Sequence, residues 1–168
     1  MNAKLIIDGK EFDIEILDPK LQELIAPKKK TGYEIVELEE DYYYVEADGV
    51  VTSSHKYTTH DDTYLRAVDN CYSSITVAIN NARADKLMRQ LRRFAVEHRK
   101  EKLNWENEQQ VKYRIFYNHH IKACHIDNNQ CIQMLGTVCF DTKESAQLAI
   151  DTFHDELVWY FTEYQDSL

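Results

Sequence analysis

Glycine and proline are scarce in this chain, with four glycines and two prolines in 168 residues. None of the glycines falls in GxGxxG, GxxxxGK or GxSxG spacing. The usual phosphate cradle and the nucleophile elbow are therefore missing, and no enzyme is expected. His60-Asp61-Asp62 matches the HD pair of metal phosphohydrolases only as a dipeptide, in a segment that reads as a loop. No stretch approaches the ~20 apolar residues needed to cross a bilayer. The opening MNAKLIIDGKEF has only Leu5-Ile6-Ile7 as an apolar run, too short for the heart of a signal peptide, so a cytoplasmic protein is expected. Cys71, Cys124, Cys131 and Cys139 form no CxxC pair, and reduced, buried thiols are the expectation. His119, His120, Cys124, His125, Cys131 and Cys139 cluster late but match no recurring zinc spacing. Strand alternation would also send Cys124 and His125 to opposite faces, so neither metal nor cofactor is expected.

What the chain does have is tyrosine: eleven, against two tryptophans and six phenylalanines. Such rings suit half-buried strands and contact surfaces, being apolar in body and polar at the tip. Charge is the second outlier. Between Asn81 and Lys102 eight Lys/Arg stand against three Asp/Glu, a surplus of five. The net charge of −9 then leaves −14 on the rest of the chain. Six carboxylates and no basic residue lie between Glu37 and Asp48. Such polarity bears on partners and encounter rates more than on fold.

Periodicity predicts an α+β protein: an N-terminal β-hairpin-helix, then two antiparallel sheet units around one long amphipathic helix. Residues 4–7 and 11–16 flank Asp8-Gly9, a hairpin signature, and Asp18-Pro19 opens a short helix through Leu21, Leu24 and Ile25 that Pro27 ends. Residues 41–45 and 50–54 flank Ala47-Asp48-Gly49, a second hairpin. Residues 55–69 show no period and read as a long loop. From 75 to 102 apolar residues recur every three or four positions without Gly or Pro, which predicts the longest helix. Strands are expected at 111–117, 121–126 and 136–140, with Asp127-Asn128-Asn129 as a turn. Asp141 or Thr142 caps the next helix, with Glu144 available to complete a capping box, and 157–164 closes the core. The junctions Asn70-Cys71-Tyr72-Ser73-Ser74 and Val138-Cys139-Phe140-Asp141-Thr142 resemble each other and suggest a duplicated β-β-β-α unit. The expected divisions are 1–32, 33–104 and 105–168.

Two surfaces are candidate sites. Glu39, Glu40, Asp41, Tyr42, Tyr43, Tyr44, Glu46 and Asp48 form an acidic-aromatic stretch suited to an Arg-rich groove. Arg89, Arg92, Arg93, Arg99 and Lys100 recur at spacings that share one helical face, and such a row neutralises phosphates. The plainer alternatives are a soluble edge hairpin protected by charge, and a basic helix that packs on acidic strands or faces solvent.

Several stretches are distinctive: Ile6-Ile-Asp-Gly-Lys-Glu-Phe12, Lys28-Lys-Lys-Thr-Gly-Tyr-Glu34, Tyr42-Tyr-Tyr-Val45, Leu87-Met-Arg-Gln-Leu-Arg-Arg-Phe-Ala-Val-Glu-His98 and Glu156-Leu-Val-Trp-Tyr-Phe-Thr-Glu-Tyr164. Together they resemble a family of small proteins from Clostridia-like Gram-positive bacteria, their prophages and mobile elements, over nearly the whole chain. The resemblance implies a phage or mobile-element accessory protein, anti-CRISPR-like, that binds a host defence protein such as a CRISPR effector nuclease. Direct nucleic-acid binding by the basic helix, or sequestration of a signalling nucleotide by the same arginines, are the alternatives.

Overall fold

A computed structural model describes residues 2–7, 10–15, 31–34, 36, 40–55 and 60–164. The chain divides into two compact units, Met1–Lys30 and Thr31–Leu168. In the first, β1 (Asn2–Ile7) pairs antiparallel with β2 (Lys10–Glu15), Asn2 opposite Glu15 and Ile7 opposite Lys10. Lys4 meets Glu11 across this ribbon at 2.7 Å. The Asp8-Gly9 turn and the helix expected after Asp18-Pro19 lie outside the described residues.

The second unit repeats one strand arrangement. β3 (Asp41–Val45) pairs antiparallel with β4 (Val51–His55), and Tyr72 bridges to Tyr43 on the other side of β3. Later, β5 (Lys112–Asn118) pairs with β6 (Ala123–Asn129) on one side and β7 (Cys139–Phe140) on the other. In both cases the first strand is central and the third element leads straight into a helix.

α1 (His60–Ala67) occupies part of the segment expected to be a loop. Its last turn carries Arg66, a charge that suits the helix dipole. The side chains of His60, Asp61 and Asp62 are outside the description.

α2 (Ile75–Glu97) runs 23 residues and ends five short of the expected limit. His98 caps it, its backbone N–H reaching back to the Phe94 carbonyl at 3.0 Å, and the Asp141 carboxylate then accepts from the backbone N–H of Lys100 at 2.6 Å and Glu101 at 2.9 Å. No breaker residue ends the helix; the N–H groups that would continue it bond Asp141 instead.

α3 (Lys143–Thr152) is capped by Thr142, whose hydroxyl accepts from the Ser145 N–H at 3.1 Å. Ser145, not Glu144, holds the third helical position, and its own hydroxyl donates back to the Thr142 carbonyl at 2.9 Å. α4 (His154–Trp159) comes next and widens into a π-helical turn at Tyr160–Tyr164.

The long helix carries the core. Leu87, Leu91, Phe94 and Ala95 bury against Phe140, Ala146, Ala149, Ile150 and Leu157, flanked by Tyr113, Ile115, Cys124 and Ile126 from the sheet. Each large side chain removed from water here contributes roughly 1.5–3 kcal/mol. Nearer its start, buried Ala78 and Ala84 are small enough for α2 to pack against β3 and β4. Asp127-Asn128-Asn129 does not turn but continues β6. The reversal lies instead between Asn118 and Ala123, where the Asn118 amide oxygen accepts from the His120 N–H and Lys122 adopts φ +52. No described helix is long and apolar enough to cross a membrane.

Candidate functional site

The β3–β4 hairpin is closed by a turn that its own acids build. Gly49 takes φ +89, Glu46 exchanges backbone bonds with Gly49 and Val50, and Asp48 accepts from the Val50 N–H at 3.0 Å. Glu46 also accepts the Thr52 hydroxyl at 2.7 Å, and at the open end Asp41 meets His55 at 2.7 Å. These carboxylates have local structural partners and stay exposed at the same time.

The hairpin is pinned from below. Tyr43 and Tyr72 exchange both backbone bonds at 2.8 Å. Beyond that bridge the Asn70 side chain stands in for a strand, donating to the Val45 carbonyl at 2.7 Å and accepting its N–H at 2.9 Å. Nothing in the sequence distinguishes Asn70 for this role except its place two residues before Tyr72.

Tyr42 is only 2% exposed, so it belongs to the core and offers no ring to a partner. Its neighbours Tyr43 and Tyr44 are half-buried, and Glu40, Asp41, Glu46 and Asp48 are exposed. Glu39 lies outside the described residues. Of the acidic-aromatic set, four carboxylates are exposed and two rings are partly accessible.

The basic set is divided. Arg89, Arg92 and Arg93 share one exposed face of α2, as spacings of three and four dictate. Arg93 is tied to Glu97 one turn on at 2.6 Å, which raises its pKa further through that hydrogen bond. Arg99 and Lys100 lie past the helix end and do not extend the row. None of Arg89, Arg92, Arg99 and Lys100 has a side-chain ion pair among the described residues.

The two sets meet at one place. Glu46 and Arg89 line the same polar cleft of about 380 Å³, together with Asp69, Asn70, Tyr72 and Asp85. Three carboxylates and one guanidinium make that cleft mixed in charge.

On the opposite side of α2, Arg83 grips Glu156 through two bonds of 2.8 and 3.1 Å and lies 3.9 Å from the centre of the Trp159 ring. This clamp fixes α4, and spacing does not single it out, because its parts are 73 residues apart. Cys124 packs on the core while His125 lies beside Phe116 on the other face, as strand alternation requires. Burial pushes the Cys124 and Cys139 thiols upward, which keeps them protonated and poor nucleophiles. Set against protein-family models, curated proteins and solved structures, the chain matches none of them.

Proposed function

We propose that the protein is a non-enzymatic accessory protein of a phage or mobile element that inhibits a host defence factor by binding it directly. The supporting observation is the rigid presentation of Glu40, Asp41, Glu46 and Asp48 around Tyr43 and Tyr44 on a hairpin pinned at Tyr72 and Asn70. Preorganised carboxylates beside aromatic rings suit a groove lined with Arg and Lys, where rings anchor and charge steers the encounter. A CRISPR effector nuclease, whose groove holds nucleic acid, is a partner of that chemistry.

A tagged pull-down from a Gram-positive host lysate, with and without nuclease treatment, tests this. A defence protein should be retained after nuclease treatment, and charge reversal at Glu40, Asp41 and Glu46 should release it while circular dichroism stays unchanged. Retention that survives the reversal would remove the hairpin from the interface.

The guanidinium of Arg92, without an ion pair among the described residues and beside Arg89 and Arg93, favours a second reading: direct binding of nucleic acid, or of a signalling nucleotide, at this face. Nucleic-acid binding requires affinity to fall with salt by a log-log slope of about 0.9 per phosphate contacted. Capture only in the sample spared nuclease would favour it.

A further inference from the structure

β6 is an edge strand: β5 covers one side of it, and no described strand covers the other. Its register with β5 runs unbroken from Asn118 opposite Ala123 to Lys112 opposite Asn129, with no bulge and no proline. A regular, seven-residue edge is a template for a further strand unless charge or distortion blocks it. The other strand edges of the second unit differ. β7 has two residues, and the five-residue β4 reads Val-Thr-Ser-Ser-His with no pair of opposite charges.

The charges of β6 favour its own antiparallel copy. His125 and Asp127 stand on one face, two residues apart, with Ile126 between them on the other. If a second β6 runs antiparallel and is centred on Ile126, positions summing to twice that number face each other. His125 then meets Asp127 of the second copy at both ends of the two-fold axis, and no like charges are opposed. The Arg114 guanidinium bonds Asp127 Oδ2 at 2.5 and 3.0 Å and the Asn128 N–H bonds its Oδ1 at 2.8 Å, which orients the carboxylate and, through Arg114 first, keeps it below the ordinary range. His125 has a ring nitrogen, Nε2, shielded from solvent and without a hydrogen-bond partner. A turn of the ring toward an incoming carboxylate would satisfy it.

We propose that two copies of this chain pair antiparallel along β6, centred on Ile126, with His125 of each against Asp127 of the other. The three strands of each copy then form one continuous sheet.

Sedimentation of the full chain should show the mass rising from 19.9 kDa toward twice that value with concentration. His125→Asp sets carboxylate against carboxylate and should weaken association by about tenfold or more. The register has its own test. The pairing puts Cys124 opposite Asn128 of the second copy, so Asn128→Cys, with Cys71, Cys131 and Cys139 changed to Ser, should give a disulfide-linked dimer on oxidation at alkaline pH, which offsets the upward push of burial on the Cys124 thiol. Within one chain the two sulfurs cannot join, because four strand residues span about 13 Å and a disulfide needs Cα atoms within about 7 Å. A chain that stays at 19.9 kDa up to about millimolar concentration overturns the proposal. So does a dimer that is indifferent to His125→Asp and forms no 124–128 crosslink.

Discussion

Ser73 donates its hydroxyl to the Glu34 carboxylate at 2.5 Å, joining the start of the second unit to the residue before the cap of its longest helix. The same carboxylate accepts from the Thr31 hydroxyl at 2.9 Å, the Gly32 N–H at 3.0 Å and the Thr31 N–H. Donors that favour the ionised form, Ser73 foremost, hold the carboxyl down to about 2. Because the folded value lies below the ordinary 4.5, this contribution is complete above about pH 4.5 and is lost as pH falls toward 2. Glu34→Gln should therefore lower the urea midpoint at pH 7 and leave it close to wild type near pH 2. A constant difference across that range would mean that the pairing makes no charge-dependent contribution.

Gly32 sits inside this junction at φ +90, and its carbonyl accepts the Ser73 N–H at 2.9 Å. A Cβ there would lie 2.4 Å from Val77 Cγ2 and 3.0 Å from Ser74 Cβ. Gly32→Ala should cost about 2–4 kcal/mol, part backbone strain and part overpacking. Val77→Ala removes the 2.4 Å contact but leaves Val77 Cβ at 2.9 Å, so the double variant, compared with Val77→Ala alone by urea unfolding, should recover only part of that loss. Full recovery would assign the whole cost to the Val77 Cγ2 contact.

The parts of the fold that were legible share one property, a local signal. The 3.6-residue period of α2, the Ala47-Asp48-Gly49 turn and the Thr142 cap are each written in fewer than two dozen neighbouring residues. α1 escaped because its eight residues, with only Tyr64, Leu65 and Ala67 apolar, are too few to show a period. Asp127-Asn128-Asn129 misled because turn-formers also fit an edge strand when Arg114 and the ladder hold them. Tyr42 and Tyr44 share a face of β3, so alternation does not separate the buried ring from the half-buried one; that depends on how far along the strand the covering reaches, through contacts more than thirty residues away. The same limit hid the Arg83–Glu156–Trp159 clamp.

Lys112 is fully buried, its ammonium donating to the carbonyls of Asn107 at 3.0 Å and Gln130 at 2.6 Å and lying 5.4 Å from the Trp105 ring. It staples the 99–111 connection to the end of β6. Lys112→Met keeps the apolar stem but leaves two carbonyls short of a donor, and should cost about 2–3 kcal/mol. Amide exchange should accelerate first around Asn107 and Gln130. Unchanged exchange there would show that water replaces the amine without loss.

Tyr42 and Tyr44 separate folding from binding on one hairpin, since they share a face and their rings lie 6.1 Å apart. Tyr42 is 2% exposed, so Tyr42→Ala removes a core ring and should cost about 3–5 kcal/mol by urea unfolding. Tyr44 is only half-buried, and Tyr44→Ala should cost much less, about 1 kcal/mol. If the hairpin is the contact surface, Tyr44→Ala weakens retention of the partner by about tenfold or more in spite of its small effect on stability. A Tyr44→Ala variant that folds and retains the partner undiminished would place the contact elsewhere, with the Arg92 face the next to be tested.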